Sequence, residues 1–163
     1  MMKLISILAM IVLGAGSAIV LIVYSDTISR IWTSTTPDEV VVYVDNHAFN
    51  VTIADSPEEW QRGLSGTERL PEFHGKLFVF DTDDTHGIWM KDMRYPLDIL
   101  WFDTNRRLVH VQADATPDSY TNSRTIFRPN MPTRFVLEIN AGMVELLGIS
   151  NGATLTLPAN LLE

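Results

Sequence analysis

Leu97-Asp98-Ile99-Leu100-Trp101-Phe102-Asp103-Thr104-Asn105-Arg106-Arg107-Leu108-Val109-His110-Val111 is the stretch on which the fold turns. Two aliphatic and aromatic runs flank an Asp-Thr-Asn cluster, the composition of two paired strands joined by a turn. Side chains alternate along a strand, so Leu97, Ile99 and Trp101 share one face and Asp98, Leu100 and Phe102 the other. Pro96 fixes φ and lacks an N–H, which starts the first strand at a sheet edge or just after a turn. Asp98 is left as a carboxylate between apolar neighbours, and it needs a cation or several hydrogen-bond donors. Lys91, Arg62 and Arg94 are the expected partners.

Moving outward, Val40 to Val44 and the alternating Phe49, Val51 and Ile53 form a second hairpin around Asp45-Asn46-His47. Ser56-Pro57-Glu58-Glu59 opens a short helix, with Ser56 as N-cap, Pro57 at its first position and Glu59 closing a capping box. Strands are expected over Leu77–Phe80, Ile88–Met90, Arg134–Ile139 and Ala153–Leu157, and a second short helix over Ala141–Leu147, stopped by Gly148. Residues 114–133, with prolines at 117, 129 and 132, read as a long irregular loop. The fold class is therefore α+β and β-rich: a compact, largely antiparallel sheet or barrel-like domain with two short helices.

Leu4 to Val23 is an uncharged run of 20 residues. A helix of that length spans about 30 Å, the thickness of a hydrocarbon core. Its small residues (Ala15, Gly16, Ser17, Ala18) lie mid-run, and cutting there would leave Ile19 to Val23 on the mature chain, so an uncleaved anchor is preferred to a cleaved signal. Lys3 precedes the run and Asp26 follows it, which places the rest of the chain outside the cytoplasm. The division is an anchor over 1–25, a Ser/Thr-rich tether over 26–38 and a single β-rich domain over 39–160.

The chain has 20 acidic residues against 12 basic ones, and Lys3 is the only charge before Asp26. That surplus repels phosphate backbones, so no nucleic-acid partner is expected. The absence of cysteine removes thiol nucleophiles, disulfides, zinc-thiolate sites and iron–sulfur clusters.

Glu59-x-x-Arg62-Gly63-Leu64, Leu77-Phe78-Val79-Phe80 and Trp89-Met90-Lys91-Asp92-Met93-x-x-Pro96-Leu97-Asp98-Ile99 recur in one order with Val136-Leu137-Glu138-Ile139-Asn140-Ala141-Gly142 and Gly148-Ile149-x-x-Gly152. In these motifs, spread over about residues 50–157, the chain resembles the domain-of-unknown-function family 192. The resemblance implies a compact β-rich fold with small helices behind a signal or anchor, and it brings no activity with it. Ser65 and Lys76 depart from the family's commonest form, in which Met stands at both places, so a methionine-based function is not implied.

Arg62, Trp89, Lys91, Asp92, Asp98 and Glu138 are the candidate ligand-binding residues, facing a polar cleft beside the 114–133 loop. Perturbed acids in a cleft mark sites, and structural ion pairs perturb titration equally. Asp98 and Glu138 could serve an envelope hydrolase if their carboxylates lie about 5–10 Å apart across open space. His86, Met90 and Met93 are an alternative soft copper site. Trp60, Trp89 and Trp101 could stack on a sugar ring, although strand aromatics more often fill a core. No nucleophile elbow or phosphate loop is present. The expectation is a membrane-tethered, extracytoplasmic, non-catalytic binding module without a cofactor, whose partner is an envelope component.

Overall fold

The computed structural model describes residues 39–161, and the expected anchor and tether lie outside them. No helix among the described residues is long and apolar enough to cross a membrane. The strands are β1 (Glu39–Val44), β2 (His47–Ala54), β3 (His74–Asp84), β4 (Ile88–Trp89), β5 (Leu97–Phe102), β6 (Leu108–Ala115), β7 (Ile126–Phe127), β8 (Thr133–Asn140) and β9 (Leu155–Thr156). The helices are α1 (Pro57–Arg62), α2 (Pro117–Ser123) and α3 (Met143–Leu147).

Seven strands form one sheet in the order β6-β5-β8-β3-β2-β1-β9, and β4 pairs with β7 separately. Every pairing is antiparallel except β2 with β3, which the α1 crossover makes parallel. The sheet curls into a half barrel whose two edge strands approach at one end, where Arg107 and Thr154 bridge. Both expected hairpins are present, and β5 occupies the predicted six residues. It is flanked by β6 and β8, so Pro96 marks a turn and not an edge.

All six β5 residues are buried, because each face of the sheet carries its own core. Inside the curl, Leu100 and Phe102 pack with Phe49, Leu137 and Leu155 from strands on both sides, beneath Met143 of α3. On the outer face Ile99 and Trp101 pack with Phe78, Phe80, Ile88 and Met90.

Three expectations are corrected. Residues 114–133 are not wholly irregular, since they hold α2 and β7, and there are three short helices instead of two. Thr116 and Pro117 start α2 as Ser56 and Pro57 start α1, and Arg124 ends it in the left-handed region. Its sequence, Pro-Asp-Ser-Tyr-Thr-Asn-Ser, lacks the apolar stripe by which a helix is ordinarily recognised. At α1 the box is also rearranged. The Glu59 carboxylate accepts from the Ser56 hydroxyl at 2.8 Å and from the Asp55 N–H at 3.2 Å, so Ser56 spends its hydroxyl on Glu59 and not on the helix backbone.

Candidate functional site

Antiparallel pairing puts Lys76 of β3 directly opposite Glu138 of β8, and Ile99 of β5 opposite Glu138 on its other side. These residues share the outer face, so a lysine and a glutamate are set into the wall of an apolar core. Glu138 is buried, and its Oε2 has no hydrogen-bond partner. Desolvation pushes its carboxyl up to about 8, opposed by the Lys76 charge, so it carries a proton at neutral pH. Burial lowers Lys76 from the usual ammonium range, Glu138 works against that, and Arg62 adds to it.

Above Glu138 the chain leaves α1 through Gly63, whose φ of +50° suits a residue without a side chain. A Cβ there would lie 3.2 Å from the Phe78 ring and 3.9 Å from Glu138 Oε2, so the turn passes directly over the carboxyl. A cavity of about 230 Å³ opens beside it, with Trp60, Phe78, Phe80, Trp89, Met93 and Glu138 among its walls. The Trp60 indole is fixed by donating to the Ala54 carbonyl at 3.0 Å and packs 5.1 Å from the Phe80 ring. An aromatic chamber with one proton-bearing acid can enclose a flat apolar group and donate one hydrogen bond to it.

Of the residues singled out from sequence, Arg62, Trp89 and Glu138 meet at this cavity. Lys91 and Asp92 do not, for their side chains are exposed and they contribute backbone. The Lys91 carbonyl accepts from the Ser65 hydroxyl at 2.8 Å and the Asp92 carbonyl from the Gly66 N–H at 2.9 Å, which docks their turn against the 63–66 turn.

Asp98 lies on the inner face, fully buried. Its partners are neither Lys91 nor an arginine. Oδ1 accepts the Asp114 N–H at 3.0 Å and Oδ2 the Val144 N–H at 2.9 Å. The first donor belongs to an irregularity of β6 where Asp114 has a φ of +49°, and the second to the first turn of α3. Asp98 therefore holds a bulge and a helix start together, and it does not flank a substrate in common with Glu138.

The three residues weighed for copper separate in role. Met90 is core, Met93 lines the cavity, and His86 stacks on Phe80 at 3.6 Å while its Nε2 bonds to the Thr82 carbonyl at 2.8 Å. Trp101 is core as well, its indole donating to the His86 carbonyl at 2.9 Å. Lys76 was missed as a site residue. Its signal was the alternation Lys76-x-Phe78-x-Phe80, which puts a cation on the same face as two core aromatics.

The family model described as DUF192, Uncharacterized ACR, matches residues 40–157, and the chain belongs to this family. A crystal structure of a protein of unknown function from Novosphingobium aromaticivorans is similar, at 29% identity and a TM-score of 0.70, over 77% of this chain and 89% of that one. A second, from Sinorhizobium meliloti and called a candidate transcription regulator, is 30% identical with a TM-score of 0.65, over 72% of this chain and 91% of that one. No curated protein matches the chain.

Proposed function

We propose that the domain is a non-catalytic binding module that encloses a small, flat, mostly apolar group bearing a hydrogen-bond acceptor. One observation carries this reading: Glu138, buried and with an unpartnered Oε2, faces an aromatic cavity of about 230 Å³. Buried polar atoms without partners are rare in folded proteins, and an acceptor on a ligand would complete this one. A cavity of about 150 Å³ already holds a benzene-sized ring. Asp98, the acid paired with Glu138 in the hydrolase reading, is spent on backbone N–H groups of the other face.

The ring probe acetophenone, which carries a carbonyl, and ethylbenzene, which does not, test the pocket by quenching of tryptophan fluorescence. Acetophenone should bind about tenfold more tightly, the worth of roughly one net hydrogen bond. Trp60→Ala should remove binding of both. Equal affinity for the two probes, or binding that survives Trp60→Ala, overturns the reading.

The same proposal places the domain on a membrane, outside the cytoplasm, with an envelope component as its ligand. The uncharged run from Leu4 to Val23 supports it. Alkaline carbonate should leave the protein in the membrane pellet, with the domain open to protease added outside. Release into the supernatant would count against an anchor.

A further inference from the structure

A second cavity, of about 340 Å³, lies across the 62–65 turn from the aromatic one, with Arg62, Arg69, His74 and Lys76 in its walls. The chain has 12 lysines and arginines, two of them (Lys3 and Arg30) before residue 39, so three of the remaining ten converge on this one hollow. Such convergence is unexpected in a chain of net charge −8, because like charges gathered without a counter-ion repel. Two of the four are long side chains reaching in from exposed positions, whereas Lys76 rises from mid-strand and is only 8% exposed.

Among the described residues the acids nearby form no ion pair with Arg62, Arg69 or Lys76. Glu39 sits at the wall and is engaged by His74, Nε2 to Oε2 at 3.6 Å. Among the described residues Arg62, Arg69 and Lys76 take part in no ion pair and donate no side-chain hydrogen bond. Glu138 is the cross-strand neighbour of Lys76, but the two are not within ion-pair distance. Burial favours the protonated form of Glu138, which weakens the charge facing Lys76, and Glu59 acts on Lys76 only from beyond ion-pair distance.

We infer that this cavity is a binding site for an oxyanion, the phosphate or carboxylate of a small molecule, held by Lys76 from below and by the guanidinium groups of Arg62 and Arg69 from the rim. A lysine supplies a point charge and an arginine a planar fork of donors, the combination that oxyanion recognition uses. The cavity exceeds the needs of a bare ion, so the anionic group is part of a larger molecule. The hollow shares the 62–65 turn, Arg62 included, with the aromatic cavity, but its test reads anion binding and does not depend on ring binding.

Inorganic phosphate is the probe, titrated calorimetrically into the full-length protein in nonionic detergent at fixed ionic strength, with chloride as the matched control. Phosphate should bind saturably at one site and raise the melting temperature, where chloride does neither. Lys76→Met keeps the volume and removes the charge, and it should weaken binding about tenfold, as should Arg62→Gln paired with Arg69→Gln. Arg94→Gln, an exposed change elsewhere, should bind like wild type. Should Lys76→Met melt too low for titration, the double arginine variant decides, both of its changes being at exposed positions. Equal shifts with phosphate and chloride, or full affinity in the double variant, overturn the inference.

Discussion

Asp98 and Glu138 point to opposite faces of one sheet: across the β5–β8 ladder Asp98 stands opposite Ile139, and Glu138 opposite Ile99. Residues paired across a ladder share a face, and neighbours along a strand do not. The two acids thus divide in role as well as direction. Asp98 is supplied with backbone donors on both oxygens and serves the fold, whereas Glu138, at the wall of the aromatic cavity, retains a buried oxygen without a partner.

Asp98→Asn should therefore destabilise through the backbone and not through a lost ion pair. An amide can accept one of the two N–H groups, and its own NH2 then confronts the other, leaving a buried donor unmatched. The expected loss is about 1–3 kcal/mol, read from the urea midpoint. Lys91→Met, at an exposed side chain, should stay within about 0.5 kcal/mol of wild type. A pairing of Lys91 with Asp98 would instead make both variants fall together.

Glu138 makes stability depend on pH in a fixed direction. Its ordinary value is 4.5 and burial raises it to about 8 in the folded protein. Between those values the folded chain holds a proton that the unfolded chain has lost, so stability is full below 4.5 and declines as pH rises toward 8. Glu138→Gln has no such proton to lose. The difference between the two proteins should be smallest near pH 4.5 and move in favour of the glutamine variant up to about pH 8. Parallel stability curves across that window would show that Glu138 ionises freely in the fold.

The strands were legible because their signals are local. Val40 to Val44, Leu97 to Phe102 and Arg134 to Ile139 carry β-branched and aromatic residues in runs bounded by turn formers, and each became a strand. Helix α2 was not legible, since its residues are polar throughout and only Thr116-Pro117 announces it. The candidate site divided along the same line. Glu138 and Arg62 were visible as charges within apolar motifs, but which acid meets which cation depends on sheet order, and β3 beside β8 brings together residues 62 positions apart. No spacing in the chain records that pairing. Asp98 was correctly expected to be surrounded by apolar neighbours and in need of donors. That the donors are the N–H groups of Asp114 and Val144 follows from a bulge and a helix start, both of which are tertiary facts.

Gly75 tests how closely β3 and β8 must approach to set Lys76 against Glu138. A Cβ at Gly75 would lie 2.6 Å from the Glu138 carbonyl oxygen, a backbone atom that cannot rotate away. Gly75→Ala must push the strands apart locally, at a cost of about 1–3 kcal/mol as for other overpacked sites. The adjacent Lys76–Glu138 pair would be disturbed with it, so tryptophan quenching by acetophenone should weaken in the same variant. A folded variant with wild-type melting would mean that the ladder accommodates the methyl group.

The seam between the sheet's edges yields the final prediction. Arg107 donates to the Gly152 carbonyl at 2.8 Å and to the Thr154 hydroxyl at 2.6 Å, tying the start of β6 to the start of β9. Around it the Leu108 N–H bonds to the Ala153 carbonyl at 2.8 Å, the Gly152 N–H to the Leu108 carbonyl at 2.8 Å and the Leu155 N–H to the Arg106 carbonyl at 2.9 Å. Unpaired edges invite pairing with other chains, and these bonds cover part of both edges. Arg107→Ala removes charge-assisted bonds made at the surface, so the global loss should be modest, about 1–2 kcal/mol. The local effect should be larger. Amide exchange at Leu108, Gly152 and Leu155 should quicken well beyond the change at β5 and β8, because the seam opens without unfolding the double-faced centre. Uniform acceleration across all strands would instead make the seam part of a single cooperative unit, and Arg107 one contact among many.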